Sequence, residues 1–260
     1  DSEWRIFFDH TRKLSLDVYA TVTSHKYVDL ACGYGAQALK IASGDITYPQ
    51  LIQYAARTGL PLHLDSGRAN IDEIRDAVEL ARLNTSSELV LHYCPPGYPA
   101  SDEDVNLNIL KLFKEEFNVK VGYSDHSSGV SMNIAAVAFG VDYIEKTLTL
   151  DRMQSGPEHM FSIEPSDVND FVAILRSVAA STQQNSRPLR ELLATTPNWS
   201  VRRSLYAALD LEEGAVIEPS MVAAKRPGNF LTPADEGFIL GKRLLRPKVK
   251  DSPFDRSDFA

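Results

Sequence analysis

Six short apolar or β-branched runs, each followed by an amphipathic stretch, recur along the first 182 residues, and this alternation restricts the chain to parallel-sheet architectures. The expected strands are Asp17–Val22, Ala38–Ala42, Pro61–Asp65, Leu89–Tyr93, Lys120–Ser124 and Tyr143–Lys146. Between them, Ile71, Ile74 and Val78 recur at helical spacing, as do Leu107, Leu110 and Phe113, and then Ile134, Val137 and Ala138. Asn70 stands three residues before Glu73, a helix-start signal, and the last unit is expected to end in a helix over Pro165–Ala180. Short connections between strand and helix require a right-handed crossover each time. Six such units fit an open doubly wound sheet. They also fit an eight-stranded barrel without its first two units, at roughly 30 residues per unit. Periodicity alone leaves both open.

Residues 183–200 break the pattern with polar residues, Pro188 and Pro197, and read as a linker with one short helix near Leu189–Ala194. Beyond it, Ser204–Ala208, Val216–Ile217 and Val222–Ala224 read as short strands punctuated by Gly214, Pro219, Pro227 and Gly228. The predicted organisation is an α/β domain over 1–182, a linker over 183–200 and a β-rich module over 201–260. A module that small is expected to have little core of its own and to lean on a partner surface.

Several function classes fall away. No apolar run approaches the roughly 18 residues needed to cross a bilayer. The net charge of −8 comes without a basic stripe, which disfavours a nucleic-acid partner but not a small anionic substrate. Cys32 and Cys94 form no Cys-x-x-Cys pair and no disulfide framework, which points to a reducing cytoplasm. Asp1 to Ile6 carry neither an initiator Met nor an apolar signal core, so the natural start is expected to lie elsewhere.

In parallel α/β folds functional groups gather at the C-terminal ends of the strands. Each expected strand ends in such groups: Thr21, Thr23 and Ser24; Lys40, Ser43, Gly44 and Asp45; Asp65 and Ser66; then Tyr98; Ser124, Asp125 and His126; and Glu145 with Lys146. Lys40 interrupts an apolar strand, and a buried ammonium needs an anion. That anion is either a ligand phosphate or carboxylate, or a structural partner, Asp45 or Glu145. His126, flanked by a carboxylate and hydroxyls, reads as a metal ligand or as a packed ring. Glu158, in the loop after the sixth strand, could bind sugar hydroxyls, though a lone loop acid is usually solvated. Arg226 sits on a rigid turn that alone reads as surface.

The strings KIASGD (40–45), VGYSDHSSG (121–129), IEK with LTLDR (144–152), GPEHMFSIEP (156–165), RRSLYA (202–207) and KRPGN (225–229) stand together in one order. On these the chain resembles the sialic acid synthase family, which includes pseudaminic and legionaminic acid synthases and spore-coat polysaccharide homologues. The resemblance covers nearly the whole chain. It implies a (β/α)8 TIM-type barrel, here lacking its first two units, followed by an antifreeze-like (SAF) domain. It also implies a domain-swapped homodimer in which the small domain of one subunit caps the barrel of the other. The implied reaction is condensation of phosphoenolpyruvate with an N-acetylated hexose, assisted by a divalent Mn2+ or Mg2+ ion.

Carried over residue by residue, the resemblance implies that Lys40, Asp45 and Glu145 are catalytic and that His126 holds the metal. Thr21, Ser43, Tyr98, Ser124, Glu158 and Arg226 would bind substrates, Arg226 reaching in from the partner's small domain. Four departures stand out: Thr147 replaces a second histidine ligand, Asp65 a phosphate-contacting serine, Pro96 a common asparagine and Leu60 a common lysine. These motivate an alternative, a diverged relative that binds a sugar or protein partner without catalysis or with altered specificity.

Overall fold

The computed structural model describes residues 2–182 and 201–260, as two compact units, 1–185 and 186–260. In chain order the first unit runs α1 (Ser2–Lys13), β1 (Tyr19–Thr21), α2 (His25–Tyr34), β2 (Ala38–Ile41), α3 (Pro49–Ala56), β3 (Leu62–Asp65) and α4 (Ile71–Asn84). It continues through β4 (Leu89–Tyr93), α5 (Asn108–Phe117), β5 (Lys120–Asp125), α6 (Ser131–Ala138), β6 (Tyr143–Lys146) and α7 (Val168–Thr182). The six strands pair in parallel in strict sequence order, β1 to β6. A doubly wound sheet reverses its strand order once. This one does not, so of the two predicted architectures the curled, singly wound sheet of a barrel is the one present.

Successive side chains of a strand point to opposite faces, and here the two faces differ in chemistry. Leu39, Ile41, Leu62, Leu64, Leu89, Leu91, Tyr93, Val121 and Tyr123 belong to one apolar cluster with Leu51, Ile52, Ala55, Val78, Ala81, Leu110 and Phe113 from the helices. Burying each large side chain contributes about 1.5–3 kcal/mol before entropy is counted. The alternate positions, Lys40, His63, Asp65, His92, Ser124 and Glu145, bond to one another on the opposite face.

Local signals explain the elements. Asn70 accepts from the backbone of Asp72 and Glu73 while Glu73 returns to the Asn70 N–H, closing the expected capping box of α4. Ser24 caps α2 by accepting from the Tyr27 N–H, so this residue is structural. Helix α1 is absent from the sequence reading; it seats Phe8 against Tyr34 with ring centroids 5.7 Å apart.

In the second unit β7 (Ser204–Ala207) pairs antiparallel with β8 (Val222–Lys225), and Val216 makes only a bridge to Arg243 where a strand was expected. The expectation of little core is corrected: Leu205, Ala207, Leu211, Ile217, Leu231, Ile239, Leu244, Phe254 and Phe259 form a buried cluster of their own. Asp258, fully buried, pairs with Lys248 at 2.6 Å and Arg246 at 2.7 Å. The short helix expected near residues 189–194 lies outside the described residues.

Candidate functional site

Lys40 is the hub of the polar face. Its Nζ lies 2.5 and 2.7 Å from the two Glu145 oxygens, 2.9 Å from Asp65 Oδ2 and 3.3 Å from Ser124 Oγ. Register explains the meeting, since β5 sets Ser124 beside Glu145 on β6 and β2 sets Lys40 beside His63 on β3. Both readings of Lys40 thus keep a foothold: it lies at the site, and its present anions are the expected Glu145 and, in place of Asp45, Asp65. An ammonium has three N–H donors, and these four acceptors occupy all of them.

The electrostatics of the hub are uneven. Burial works against the Lys40 charge, but the Asp65 and Glu145 carboxylates outweigh it and hold its pKa above the ordinary lysine range. Burial likewise opposes ionised Glu145, yet the Lys40 ammonium wins and its pKa falls. At Asp65 burial prevails over Lys40 and the carboxyl is held above its usual range. Asp65 Oδ1 is buried with no hydrogen-bond partner. Tyr19 donates to Glu145 Oε2 at 2.5 Å, and burial together with the Glu145 charge raises its phenol further. With both carboxylates ionised, the hub holds one negative charge in excess.

Three residues that sequence reasoning missed extend the network. His92 Nδ1 stands 3.2 Å from Ser124 Oγ and His92 Nε2 stands 2.8 Å from His63 Nδ1. Tyr19 stacks on His63, with centroids 4.9 Å apart. The signal that could have found them is parity: each shares its face with Lys40 through neighbouring strand registers.

Nearer the strand ends, His126 is half-buried, its Nδ1 3.6 Å from Cys94 Sγ, and Tyr98 covers its ring with centroids 4.3 Å apart. Burial lowers the His126 pKa; the Glu158, Asp65 and Glu145 carboxylates, acting at that distance, oppose it. The Cys94 thiol is pushed up to about 12, by burial first and the Asp65 charge second. His126, Tyr98 and Glu158 therefore share one electrostatic neighbourhood with the Lys40 hub. Ser43 and Asp45 form a single 3-10 turn after β2. Gly67, at φ +46°, lets the loop after β3 lie against that turn, since a Cβ there would fall 2.3 Å from Ser43 Cβ. Thr21 is exposed at the end of β1, and Asp45 and Thr21 make no side-chain bond to the hub. Arg226 is an exposed residue of the second unit.

At the end of β6, Glu145 and Lys146 point to opposite faces, as adjacent strand residues do. The Lys146 ammonium pairs with Asp125 at 2.6 Å, both side chains buried, and Asp125 also accepts from the Ser127 N–H and hydroxyl and from Tyr123. This ion pair is structural.

The donors offered to a divalent ion are few. Both Glu145 oxygens are taken by Lys40 and Tyr19, and His126 Nδ1 faces the Cys94 sulfur. Thr147, where the resemblance implies a second imidazole, contributes one buried hydroxyl oxygen without a partner. Among the described residues no three His, Cys, Asp or Glu side chains come together as a metal site. The described side chains do not by themselves complete a metal site.

Comparison with known proteins follows the same outline. Residues 1–187 match the NeuB family and residues 202–260 the SAF domain. The chain is 33% identical to the N,N'-diacetyllegionaminic acid synthase of Legionella pneumophila over 89% of its own length and 66% of that protein's. It is 31% identical to the pseudaminic acid synthase of Helicobacter pylori, over 98% of this chain and 75% of the relative. The crystal structure of N-acetylneuraminic acid synthetase from Leptospira borgpetersenii, solved with citrate, superposes with a TM-score of 0.69 at 29% identity, covering 74% of this chain and 69% of that one. The chain thus spans 66–75% of the length of these relatives.

Proposed function

Because the chain belongs to the NeuB family and carries a SAF domain after it, we propose that it is a sialic-type acid synthase. In this reading it joins phosphoenolpyruvate to the aldehyde of an open-chain acetamido-hexose. C3 of the enol forms a bond to the aldehyde carbon, whose oxygen takes up a proton. Water adds at C2, losing a proton, and cleavage of the bond between C2 and the phosphate oxygen, with loss of the hydroxyl proton, leaves a 2-keto acid and inorganic phosphate. The observation that carries the reading is the convergence of Lys40 and Ser124 on one polar face, beside Tyr98, His126 and Glu158.

The chain's own groups divide the work. Lys40 and Ser124 would bind the anionic donor by charge-assisted hydrogen bonds. Lys40 has no free N–H, so a bound phosphate must displace one partner. Asp65 is the partner that gives way, since burial already favours its protonated form and a nearby phosphate favours it more. Tyr98 and Glu158 would receive the sugar, with Arg226 supplied by the second subunit of a homodimer. A divalent ion, where bound, would supply Lewis-acid chemistry, and His126 with the Thr147 hydroxyl are the donors this chain would offer it. Reduced Cys32 and Cys94 accord with a cytoplasmic site of action, and no helix among the described residues is long and apolar enough to cross a membrane.

The test is phosphate release from phosphoenolpyruvate with Mn2+ present, with and without N-acetylmannosamine or a diacetamido-hexose. Release is expected only when a sugar is present, one phosphate per keto acid formed. Sugar-independent release, or none with any acetamido-hexose, overturns the proposal.

A further inference from the structure

Two buried imidazoles have no part in that mechanism. His63 and His92 are 3% and 1% exposed. Burial, with Lys40 second, lowers their pKa values to about 4 and about 3, so both are neutral at physiological pH. A neutral imidazole carries one N–H. The 2.8 Å contact between His63 Nδ1 and His92 Nε2 requires a hydrogen on one of those two atoms. That requirement leaves two arrangements, and they treat Ser124 in opposite ways.

With the hydrogen on His92 Nε2, His92 Nδ1 is bare, and the 3.2 Å contact to Ser124 is made by the serine hydroxyl donating inward. With the hydrogen on His63 Nδ1, His92 carries its own on Nδ1 and donates to Ser124 Oγ. That oxygen already faces the Lys40 ammonium at 3.3 Å, so the serine hydrogen is released to point elsewhere. Passing from the first to the second, the serine proton moves to His92 Nδ1 and the His92 Nε2 proton moves to His63 Nδ1. The His63 Nε2 proton leaves to water, and one returns from water to Ser124 Oγ. No net proton is gained.

The rings are built to stay in place while this happens. Gly122 leaves the room His92 needs, since a Cβ there would fall 2.4 Å from His92 Cε1. Tyr19 stacks on His63 and Tyr143 meets its edge with centroids 5.0 Å apart.

We infer that His92 is a positioning residue and that the His63–His92 pair is a two-state tautomer wire. It turns the Ser124 hydroxyl from an internal donor into a donor toward an anionic oxygen of the bound enol phosphate. The inference rests on the reading of this face as the donor site. A merely structural pair would keep one tautomer throughout.

The experiment is long-range proton–nitrogen NMR of the protein labelled at histidine nitrogens, free and with inorganic phosphate or phosphoenolpyruvate. In the free protein His92 is expected to be protonated at Nε2. With either anion the pattern reverses, His92 and His63 both becoming protonated at Nδ1. Unchanged tautomers, whether the anion binds or not, overturn the inference. His63→Phe keeps a ring beside Tyr19 but removes the wire's end; the KM for phosphoenolpyruvate is expected to rise about tenfold, the scale of one hydrogen bond to a charged group, and more than kcat falls. A fall confined to kcat counts against the wire. Tautomer reversal without sugar-dependent phosphate release would sink the synthase reading and leave the wire standing; sugar-dependent release with fixed tautomers would do the opposite.

Discussion

Replacing Asp65 by Asn should make the protein more stable, although it removes a partner from a buried ion pair. Lys40 and Asp65 each leave only 6% of the side chain exposed, and Glu145 already binds the same ammonium through both oxygens. The second carboxylate therefore adds a desolvation cost without a cation of its own, and its Oδ1 has no hydrogen-bond partner. An acid whose folded pKa lies above its unfolded value stabilises the fold only while protonated. For Asp65 that contribution is complete below the ordinary aspartate range and is lost as pH rises through the elevated folded pKa. At pH 7, above the range where that contribution is complete, Asp65 is thus a net cost. Exchanging a whole buried ionic cluster for neutral groups stabilises by about 1–4 kcal/mol; with Lys40 and Glu145 kept, the gain is expected at the low end, about 1 kcal/mol, and each kcal/mol moves a melting midpoint by roughly 2–4 °C in a chain of this size. The assay is urea unfolding followed by far-ultraviolet circular dichroism, for both proteins, from pH 7 down to pH 4. The expected result is a higher midpoint for the Asn variant at pH 7, with the advantage shrinking toward pH 4. A variant less stable than its parent at pH 7, or an advantage independent of pH, would refute the reasoning. Lys40→Met supplies the contrast: it leaves two carboxylates without their cation and should cost about 3–5 kcal/mol.

Three further outcomes follow from single contacts. Lys146→Met leaves Asp125 buried without its ammonium and should cost about 3–5 kcal/mol in the same unfolding assay. Gly122→Ala drives a methyl into the His92 ring, so a loss of about 1–3 kcal/mol in urea and a raised KM for phosphoenolpyruvate are expected. Native Cys94, buried and with its thiol pushed up to about 12, should resist a thiol-specific reagent at pH 8 and react only after unfolding.

Much of this architecture could be read in advance, because a strand repeats every two residues and a helix every 3.6. The six strand positions and the α4 capping box follow from those periods and from Asn70 and Glu73. Strand order did not follow, since a doubly wound sheet and a barrel use the same local pattern. At the site, Lys40, Ser124 and Glu145 were legible as polar interruptions of apolar runs. His63 and His92 were not, because within a single strand either parity could be the one that faces the helices. Lys146 shows the same ambiguity from the other side: beside Glu145 in sequence, it points to the opposite face and pairs with Asp125.

Partner choice is the deeper reason. The expected anions for Lys40 were Asp45 and Glu145, and register supplies Asp65 instead of Asp45. Asp65, which the resemblance marks as a departure, is thus one of the three residues that occupy the ammonium. Since Lys40 cannot accept a phosphate while Asp65, Glu145 and Ser124 fill its three donors, the affinity of this face for an anion is set by how readily Asp65 takes up a proton. The Asn variant, which cannot hold that negative charge, should therefore bind phosphoenolpyruvate more tightly at pH 8 than the parent. The two should converge as pH falls and the parent's Asp65 becomes neutral. Isothermal titration with phosphoenolpyruvate alone measures this directly, and equal affinities at pH 8 would show that Asp65 does not stand between Lys40 and its ligand.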